Sequence, residues 1–330
     1  MKKIIAVAIA FSSISLAACA NTQSKTQASE NHVAFSASHI ERMDFGKDLQ
    51  YKHWNSGKDE CESRLMKESI LSNYEIHQYD ESSYIIRQNK CSNAEAPMMY
   101  LMLGEHKNVL LDTGAKSEDG GREFAHIVQK LIHKHGRSEQ LLVLHSHHHS
   151  DHTAGDEIFS SFENTEVVEA GKKAFADFYK DDITTIALGD RELTVIKTPG
   201  HQEEAVAVYD SKTQWLLTGD SFYPGVLYVK NWKDYKHSIA KLHSFTQNNP
   251  VSFILGSHIE MSAEPGKVYE IGSLYQPQEA SMAMTVEQLT ALHQQLQNTD
   301  EQRLVNGAYI VQPMNGLQKS LSNIVRWAKN

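Results

Sequence analysis

The fold of this chain is decided by residues 141–152, which read LLVLHSHHHSDH. The first four residues, Leu141–Leu144, form a continuous apolar run of the kind that is buried as a strand. The run leads directly into five histidines and one aspartate, so these polar side chains are expected at the end of a strand. Loops held by a rigid sheet often carry functional side chains, and this stretch therefore predicts a site.

An apolar run followed by a histidine or an aspartate recurs three more times along the chain. Because a rigid sheet can position a site built from such loops, the four strand ends are expected to meet. The three further pairs are Leu193–Ile196 before His201, Trp215–Leu217 before Asp220, and Phe253–Leu255 before His258.

The residue types and their spacing indicate a metal site. His147 and His149 lie two residues apart and point the same way from an extended segment, whereas Asp151 and His152 turn toward a neighbouring position. Asp220 is a carboxylate that could bridge two ions. Imidazole and carboxylate ligands without thiolate suit zinc in a catalytic site, and other first-row metals remain possible. The alternative is a histidine-rich surface loop that makes only hydrogen bonds.

The remaining patterns predict a layered α/β fold, with strands first and helices covering them. Predicted strands are Tyr84–Arg87, Met98–Leu103 and Asn108–Asp112. Predicted helices contain Phe124, Ile127, Val128, Leu131 and Ile132 with a stop at Gly136, then residues 172–179, then residues 234–245 with Tyr235, Ile239 and Leu242 on one face. A capping box of Thr285 with Gln288 precedes Leu289, Leu292 and Leu296, and a last helix is expected to carry Leu321, Ile324, Val325 and Trp327.

From Asp112 to His258 the chain resembles the metallo-β-lactamase superfamily, whose motif of His-x-His-x-Asp-His and a later His, Asp and His it matches throughout. The resemblance implies an α/β fold, the four-layer αββα metallo-β-lactamase sandwich, with metals at one sheet edge. In Asp112-Thr113-Gly114, the carboxylate is expected to cap a turn beneath the metals. His145 and His148 are outside the pattern, and they are expected beside the ligands or exposed. The resemblance assigns His147, His149 and His201 to a first zinc, Asp151, His152 and His258 to a second, and Asp220 as the bridge.

The same resemblance implies a dinuclear zinc-dependent hydrolase that acts on a lactone, ester or thioester through a metal-bridging hydroxide. Asp151 would both bind metal and orient the hydroxide. Tyr223, three residues after Asp220, resembles the tyrosine with which lactonases of this superfamily bind the substrate carbonyl; a wall of the pocket is its alternative role. The substrate is expected to be a small molecule of unspecified identity.

Two of the candidate ligand positions distinguish subgroups of the superfamily. β-Lactamases of this fold usually have cysteine or serine where Asp220 stands, and flavodiiron proteins have a carboxylate where His149 stands. The pattern instead resembles the glyoxalase-II and lactonase subgroup. The alternatives are a β-lactamase or phosphodiesterase of the same fold, or a metal-binding lipoprotein without activity.

The first residues predict export and lipid anchoring. Lys2 and Lys3 precede an apolar run and the sequence Leu-Ala-Ala-Cys, which resembles a bacterial lipobox ending in Cys19. Residues 1–18 are therefore interpreted as a lipoprotein signal peptide, residues 19–35 as a flexible polar tether, and residues 36–330 as the hydrolase domain. Ala20 is not the aspartate that retains lipoproteins in the inner membrane, so we expect the outer membrane, on its periplasmic face.

Charge and cysteine content add two expectations. The formal charge of −9 becomes −11 when Lys2 and Lys3 leave with the signal peptide, which disfavours nucleic acid as a partner. Of three cysteines, the anchor uses one, which leaves Cys61 and Cys91 able to pair in an oxidising compartment, with two separate thiols as the alternative. The sequence does not indicate an oligomeric state.

Overall fold

The computed structural model describes residues 43–58, 61, 73–169, 171–320 and 322. The predicted signal peptide, the anchor Cys19, the tether and the last predicted helix lie outside the described residues. The first sheet has seven strands arranged in chain order. Strands β2 to β5 form an antiparallel meander, whereas β5, β6 and β7 run parallel. The strands are β1 (Asp44–Phe45), β2 (Tyr74–Asp80), β3 (Ser83–Gln88), β4 (Met98–Met102), β5 (Asn108–Leu111), β6 (Leu141–Leu144) and β7 (Thr165–Val167).

The second sheet has six strands in the order β14-β13-β11-β10-β9-β8. Neighbours pair antiparallel except β11 and β13, which run parallel and so end at the same edge. The strands are β8 (Ile183–Ala187), β9 (Glu192–Lys197), β10 (Val206–Asp210), β11 (Trp215–Gly219), β13 (Phe253–Gly256) and β14 (Ala283–Met284).

Helices cover the outer faces of both sheets. α1 packs its apolar face on the first sheet, and α5 and α6 pack theirs on the second. As predicted, Gly136 stops α1: it follows the last helical residue, His135, and its N–H donates to Ile132 O. The predicted capping box of Thr285 and Gln288 begins α6. The helices are α1 (Arg122–His135), α2 (Ser150–Thr153), α3 (Asp156–Phe159), α4 (Lys172–Phe178), α5 (Trp232–Asn248) and α6 (Val286–Gln297).

Three buried apolar clusters define the layers. One cluster, which includes Tyr100 and Trp215, fills the space between the two sheets. The other two lie between each sheet and its helices. The order of layers is helix, sheet, sheet, helix, which confirms the predicted four-layer αββα fold.

A third, smaller sheet of order β12-β16-β15 was not predicted. Its strands are β12 (Val226–Val229), β15 (Leu304–Val305) and β16 (Ile310–Pro313). Strands of two to four residues carry too few alternating positions to give a period, which is why the sequence does not reveal them.

Two further features concern the cysteines and the helices. The structure joins Cys61 to Cys91 in a disulfide bond, the pairing that the sequence favoured. Within the described residues, every helix is too short or too polar to cross a membrane.

Candidate metal centre

The ends of four strands meet at one edge of the sandwich, as the sequence pattern predicts. β9 and β11 are each antiparallel to β10, so they run in the same direction as each other and as β13. β6 brings the histidine-rich loop from the first sheet. Gly219, at the end of β11, has φ 52°, and a Cβ there would lie only 2.6 Å from the Cβ of Ser146. Glycine therefore lets the loops of the two sheets approach closely at the site.

The first ligand group consists of His147, His149, His201 and Asp220, whose ligand atoms all lie within 4.8 Å of one another. His149 Nδ1 is 2.9 Å from His147 Nε2 and 3.2 Å from His201 Nε2. Asp220 Oδ2 is 3.6 Å and 3.5 Å from the same two Nε2 atoms. Tetrahedral zinc with bonds of about 2.1 Å holds its ligand atoms about 3.4 Å apart, so the group has the right size for one zinc ion.

The second ligand group consists of Asp151, His152, His258 and again Asp220. Asp151 Oδ2 lies 3.3 Å from Nε2 of both histidines. Asp220 Oδ1 lies 3.6 Å from His152 Nε2 and 3.4 Å from His258 Nε2. Asp220 therefore presents one carboxylate oxygen to each group, which is the geometry of a bridging ligand.

The histidines of the first ligand group are held neutral. Burial, helped by neighbouring imidazoles, lowers the pKa of His147 well below its usual value and that of His149 to about 3. Burial likewise lowers the pKa of His201. A neutral imidazole keeps the lone pair that a metal ligand needs, so these side chains are in the protonation state that binds zinc.

The second ligand group attracts a cation. Although burial opposes it, the carboxylates of Asp151, Asp112 and Asp220 raise the pKa of His152 well above its usual value. Asp220 and Asp151 raise the pKa of His258 to about 9 against the effect of burial. Among the described residues, neither His152 Nε2 nor Asp220 Oδ1 has a hydrogen-bond partner. A buried histidine nitrogen and a buried carboxylate oxygen that face each other without hydrogen-bond partners fit a bound metal cation.

Asp112 orients His152 from below, which corrects the expectation that its carboxylate caps a turn. Asp112 is fully buried and has φ 71°, a conformation that aspartate tolerates better than most residues. Its Oδ2 accepts from His152 Nδ1 and from Ser146 Oγ, each at 2.8 Å, and its Oδ1 accepts from Ser146 N at 2.7 Å. This carboxylate accepts the Nδ1 proton of His152, so the Nε2 proton is the one that a metal ion would displace.

Three other candidate histidine ligands are fixed in the same way. Each turns Nε2 inward and places Nδ1 beside an oxygen that can accept its proton, which selects the tautomer with a lone pair on Nε2. The oxygens are Ser146 Oγ for His147 at 3.2 Å, Tyr228 O for His201 at 2.8 Å and Glu95 O for His258 at 3.0 Å.

The two remaining histidines of the loop lie outside both ligand groups, and both are buried. His145 bonds to Val168 O at 3.0 Å and to Asp156 Oδ1 at 2.9 Å. His148 Nδ1 lies 3.4 Å from Glu204 Oε2. Their contacts fasten the ligand loop to neighbouring segments.

Tyr223 lies beside the second ligand group, with its ring centroid 5.7 Å from that of His258. Its hydroxyl is 2.7 Å from Val226 O and 3.1 Å from Glu260 Oε2. Burial and the Glu260 carboxylate raise the pKa of Tyr223 well above its usual value. The hydroxyl proton is thus donated to protein acceptors in this structure. Glu260 was missed by sequence reasoning, because a lone glutamate two residues after a ligand has no distinguishing pattern.

Comparison with known proteins supports the same interpretation. The family model described as the metallo-beta-lactamase superfamily matches residues 93–246. The chain is 31% identical to an acyl-coenzyme A thioesterase of Gallus gallus over 27% of this chain and 34% of that protein. It is 28% identical to a hydroxyacylglutathione hydrolase of Prochlorococcus marinus over 38% of this chain and 57% of that protein. Its matches thus span about a third to just over half of the length of these curated relatives.

Solved structures give more distant matches. A metallo-beta-lactamase from Pontibacter korlensis aligns with a TM-score of 0.46 and 18% identity, over 68% of this chain and 100% of that one. A metallo-beta-lactamase superfamily protein from Sulfolobus tokodaii aligns with a TM-score of 0.45 and 14% identity, over 75% and 96%. The matched family model covers six of the seven candidate ligands, and His258 completes the set. This match places residues 93–246 of the chain in the metallo-β-lactamase superfamily.

Proposed function

We propose that this chain is a dinuclear zinc-dependent hydrolase that acts on a thioester, ester or lactone. The observation that carries the proposal is the pair of ligand groups joined by Asp220, with every ligand atom of a group within 4.8 Å of the others. A site for a single structural zinc needs only four ligands and leaves no carboxylate shared with a second set. The first ligand group would hold one ion, and the second ligand group the other.

Two zinc ions bound there would lower the pKa of a shared water toward neutrality, polarise the substrate carbonyl and stabilise the leaving group. Asp151 is suited to receive that water. His152 and His258 hold its pKa well below the usual value although burial opposes them, so the carboxylate is ionised at neutral pH. The Asp151 side chain is 19% exposed, whereas that of His152 is fully buried. Asp151 can therefore accept a hydrogen bond from an incoming water and orient its lone pair toward the carbonyl.

Thioesters are the substrate class to test first. One relative is named an acyl-coenzyme A thioesterase, and others are named hydroxyacylglutathione hydrolases. Asp220, the candidate bridging carboxylate, stands where β-lactamases of this fold usually have cysteine or serine, which favours esters and thioesters over β-lactams.

The test is to purify the full chain, measure zinc per chain by elemental analysis, and assay an acyl-coenzyme A, an acylglutathione, a simple carboxylic ester, a lactone, a phosphodiester and a β-lactam. Two zinc ions per chain and chelator-sensitive hydrolysis of a thioester, ester or lactone support the proposal. Preferred cleavage of the β-lactam or the phosphodiester would assign a different substrate class, whereas zinc-loaded protein that is inert on all six substrates would indicate a metal-binding protein without activity.

We also propose that Cys19 carries lipid and anchors the chain to the outer membrane, facing the periplasm. The lipobox-like sequence that ends at Cys19 supports this. The test is metabolic labelling with an alkyne fatty acid followed by membrane fractionation. Label and membrane association that are both lost in Cys19→Ala support the anchor; equal labelling of the variant contradicts it.

A further inference from the structure

His149 is bound differently from the other histidine ligands. Its Nδ1 faces the first ligand group, 2.9 Å from His147 Nε2 and 3.2 Å from His201 Nε2. Its Nε2 faces away from the group and contacts the side-chain amide of Gln202. If Nδ1 supplies the lone pair to a metal, the proton of the neutral ring must be on Nε2. That proton then needs an acceptor.

The Gln202 side chain contacts His149 Nε2 and is 2% exposed. Its Nε2 is the atom that contacts His149, and this Nε2 also lies 3.2 Å from Ser322 Oγ. Its Oε1 is buried without a hydrogen-bond partner among the described residues. An amide nitrogen is a hydrogen-bond donor, so this orientation of Gln202 suits only a His149 ring with a lone pair on Nε2 and its proton on Nδ1. A ring in that tautomer cannot bind metal through Nδ1.

We propose that Gln202 is a positioning residue for the metal centre: when metal is bound, its amide turns so that Oε1 accepts the Nε2 proton of His149. Ser322 Oγ, whose hydroxyl can either accept or donate, then donates to the same oxygen. The inference rests on the proposed metal site and deepens it. It connects a metal ligand to Ser322, which is 120 residues from Gln202 in sequence.

The connection gives Ser322 a defined role. Ser322 is helical, as are residues 316–320, and among the described residues Gln202 links it to the centre. Loss of the Ser322 hydroxyl removes one of two hydrogen bonds that fix the amide, whereas loss of the Gln202 amide removes the acceptor itself. The two substitutions should therefore affect metal affinity in the same direction and to different extents.

The experiment compares full-length wild type with Gln202→Leu, Gln202→Glu, Ser322→Ala and the control Gln294→Leu, which changes an exposed glutamine on α6. Zinc affinity is measured by chelator competition, and the tautomer of His149 by long-range ¹H–¹⁵N NMR of histidine-labelled, zinc-loaded protein. We expect Gln202→Leu to weaken the first zinc by about 10-fold to 100-fold, as loss of a partner to a metal-ligating histidine does. Ser322→Ala should weaken it less, and Gln202→Glu, which keeps an acceptor oxygen, should remain close to wild type.

In the zinc-loaded wild type, we expect the ring proton of His149 on Nε2. This proton should exchange with solvent more slowly than it does in Gln202→Leu. The proposal is overturned if Gln202→Leu binds zinc as tightly as Gln294→Leu, or if Gln202→Glu loses as much affinity as Gln202→Leu. The NMR result on the wild type decides the matter even if Gln202→Leu does not fold, because a proton on Nδ1 of zinc-loaded His149 also overturns it. A wild type that binds no zinc refutes the proposed function together with this inference, whereas a loaded wild type with an unaffected Gln202→Leu refutes this inference alone.

Discussion

Replacing Asp112 by asparagine tests how the second ligand group is organised. The carboxylate accepts four hydrogen bonds: two from Ser146, one from His152 Nδ1 and a longer one of 3.5 Å from Ser257 Oγ. Asparagine has nearly the same shape and also tolerates the positive φ of this position, so the change removes the charge and one acceptor without a new backbone strain. If the amide oxygen keeps the Ser146 N–H, the NH₂ group faces His152 Nδ1 and forces the ring into the tautomer that protonates Nε2.

The magnitude follows from these contacts. Loss of the partner that orients a metal-ligating histidine typically costs about 10-fold to 100-fold in affinity, and we expect the second zinc to weaken by that amount. In the metal-free chain, His152 loses a buried ionic partner, so the free energy of unfolding should fall by about 3 kcal/mol. Chelator competition and urea unfolding measure the two effects. Asp177→Asn, an exposed aspartate of α4, is the matched control. Two zinc ions bound by Asp112→Asn with wild-type affinity would refute the reasoning.

Three further predictions concern other parts of the chain. Burial lowers the pKa of Lys90 to about 8, from 10.5 in the unfolded chain. Between pH 8 and 10.5 the unfolded chain therefore binds more protons than the folded chain, and the free energy of unfolding should rise with pH across this window. The rise should be less steep in Lys90→Met. Replacing both Cys61 and Cys91 by serine, which opens a loop with a sequence separation of 30, should lower the unfolding free energy by about 3 kcal/mol in denaturant titrations. The Tyr223 hydroxyl donates its hydrogen bond to Val226 O, so Tyr223→Phe should lower kcat by less than about tenfold. A group that stabilises the oxyanion would instead be expected to cost about 10²-fold or more in kcat.

Each of these three has a clear contrary outcome. A stability curve that is flat between pH 8 and 10.5 in wild type, or equally steep in the Lys90 variant, would show that Lys90 is not the group responsible. An unchanged denaturation midpoint in the double serine variant would show that the disulfide does not stabilise the fold. A loss of two orders of magnitude or more in kcat for Tyr223→Phe would restore the hydroxyl as a group that acts on substrate.

The layers, and the residues that the structure brings together as candidate ligands, were predictable because their signals are local. β6 is a run of four apolar residues, and the ligands that follow it lie within eight positions of its end. The turn at Gly136 and the capping box of α6 are likewise contained within a few residues. Local patterns of this kind can be recognised in the sequence without knowledge of long-range contacts.

The partners that orient the ligands were not predictable, since tertiary packing brings them together across long sequence separations. Asp112 reaches His152 over 40 residues, and Gln202 reaches His149 over 53. The role of Asp112 was misjudged for this reason: a carboxylate before Thr-Gly also fits a turn, and only the paired strands β5 and β6 show that Ser146 and His152 lie within its reach.

Anomalous diffraction at the zinc edge from crystals of the zinc-loaded protein tests the central claim most directly. The account predicts two zinc peaks about 3.5–4 Å apart, a separation typical of two-metal hydrolases, with Asp220 between them. One peak should contact His147, His149 and His201, and the other Asp151, His152 and His258. A single peak, or zinc bound away from these side chains, would contradict the account.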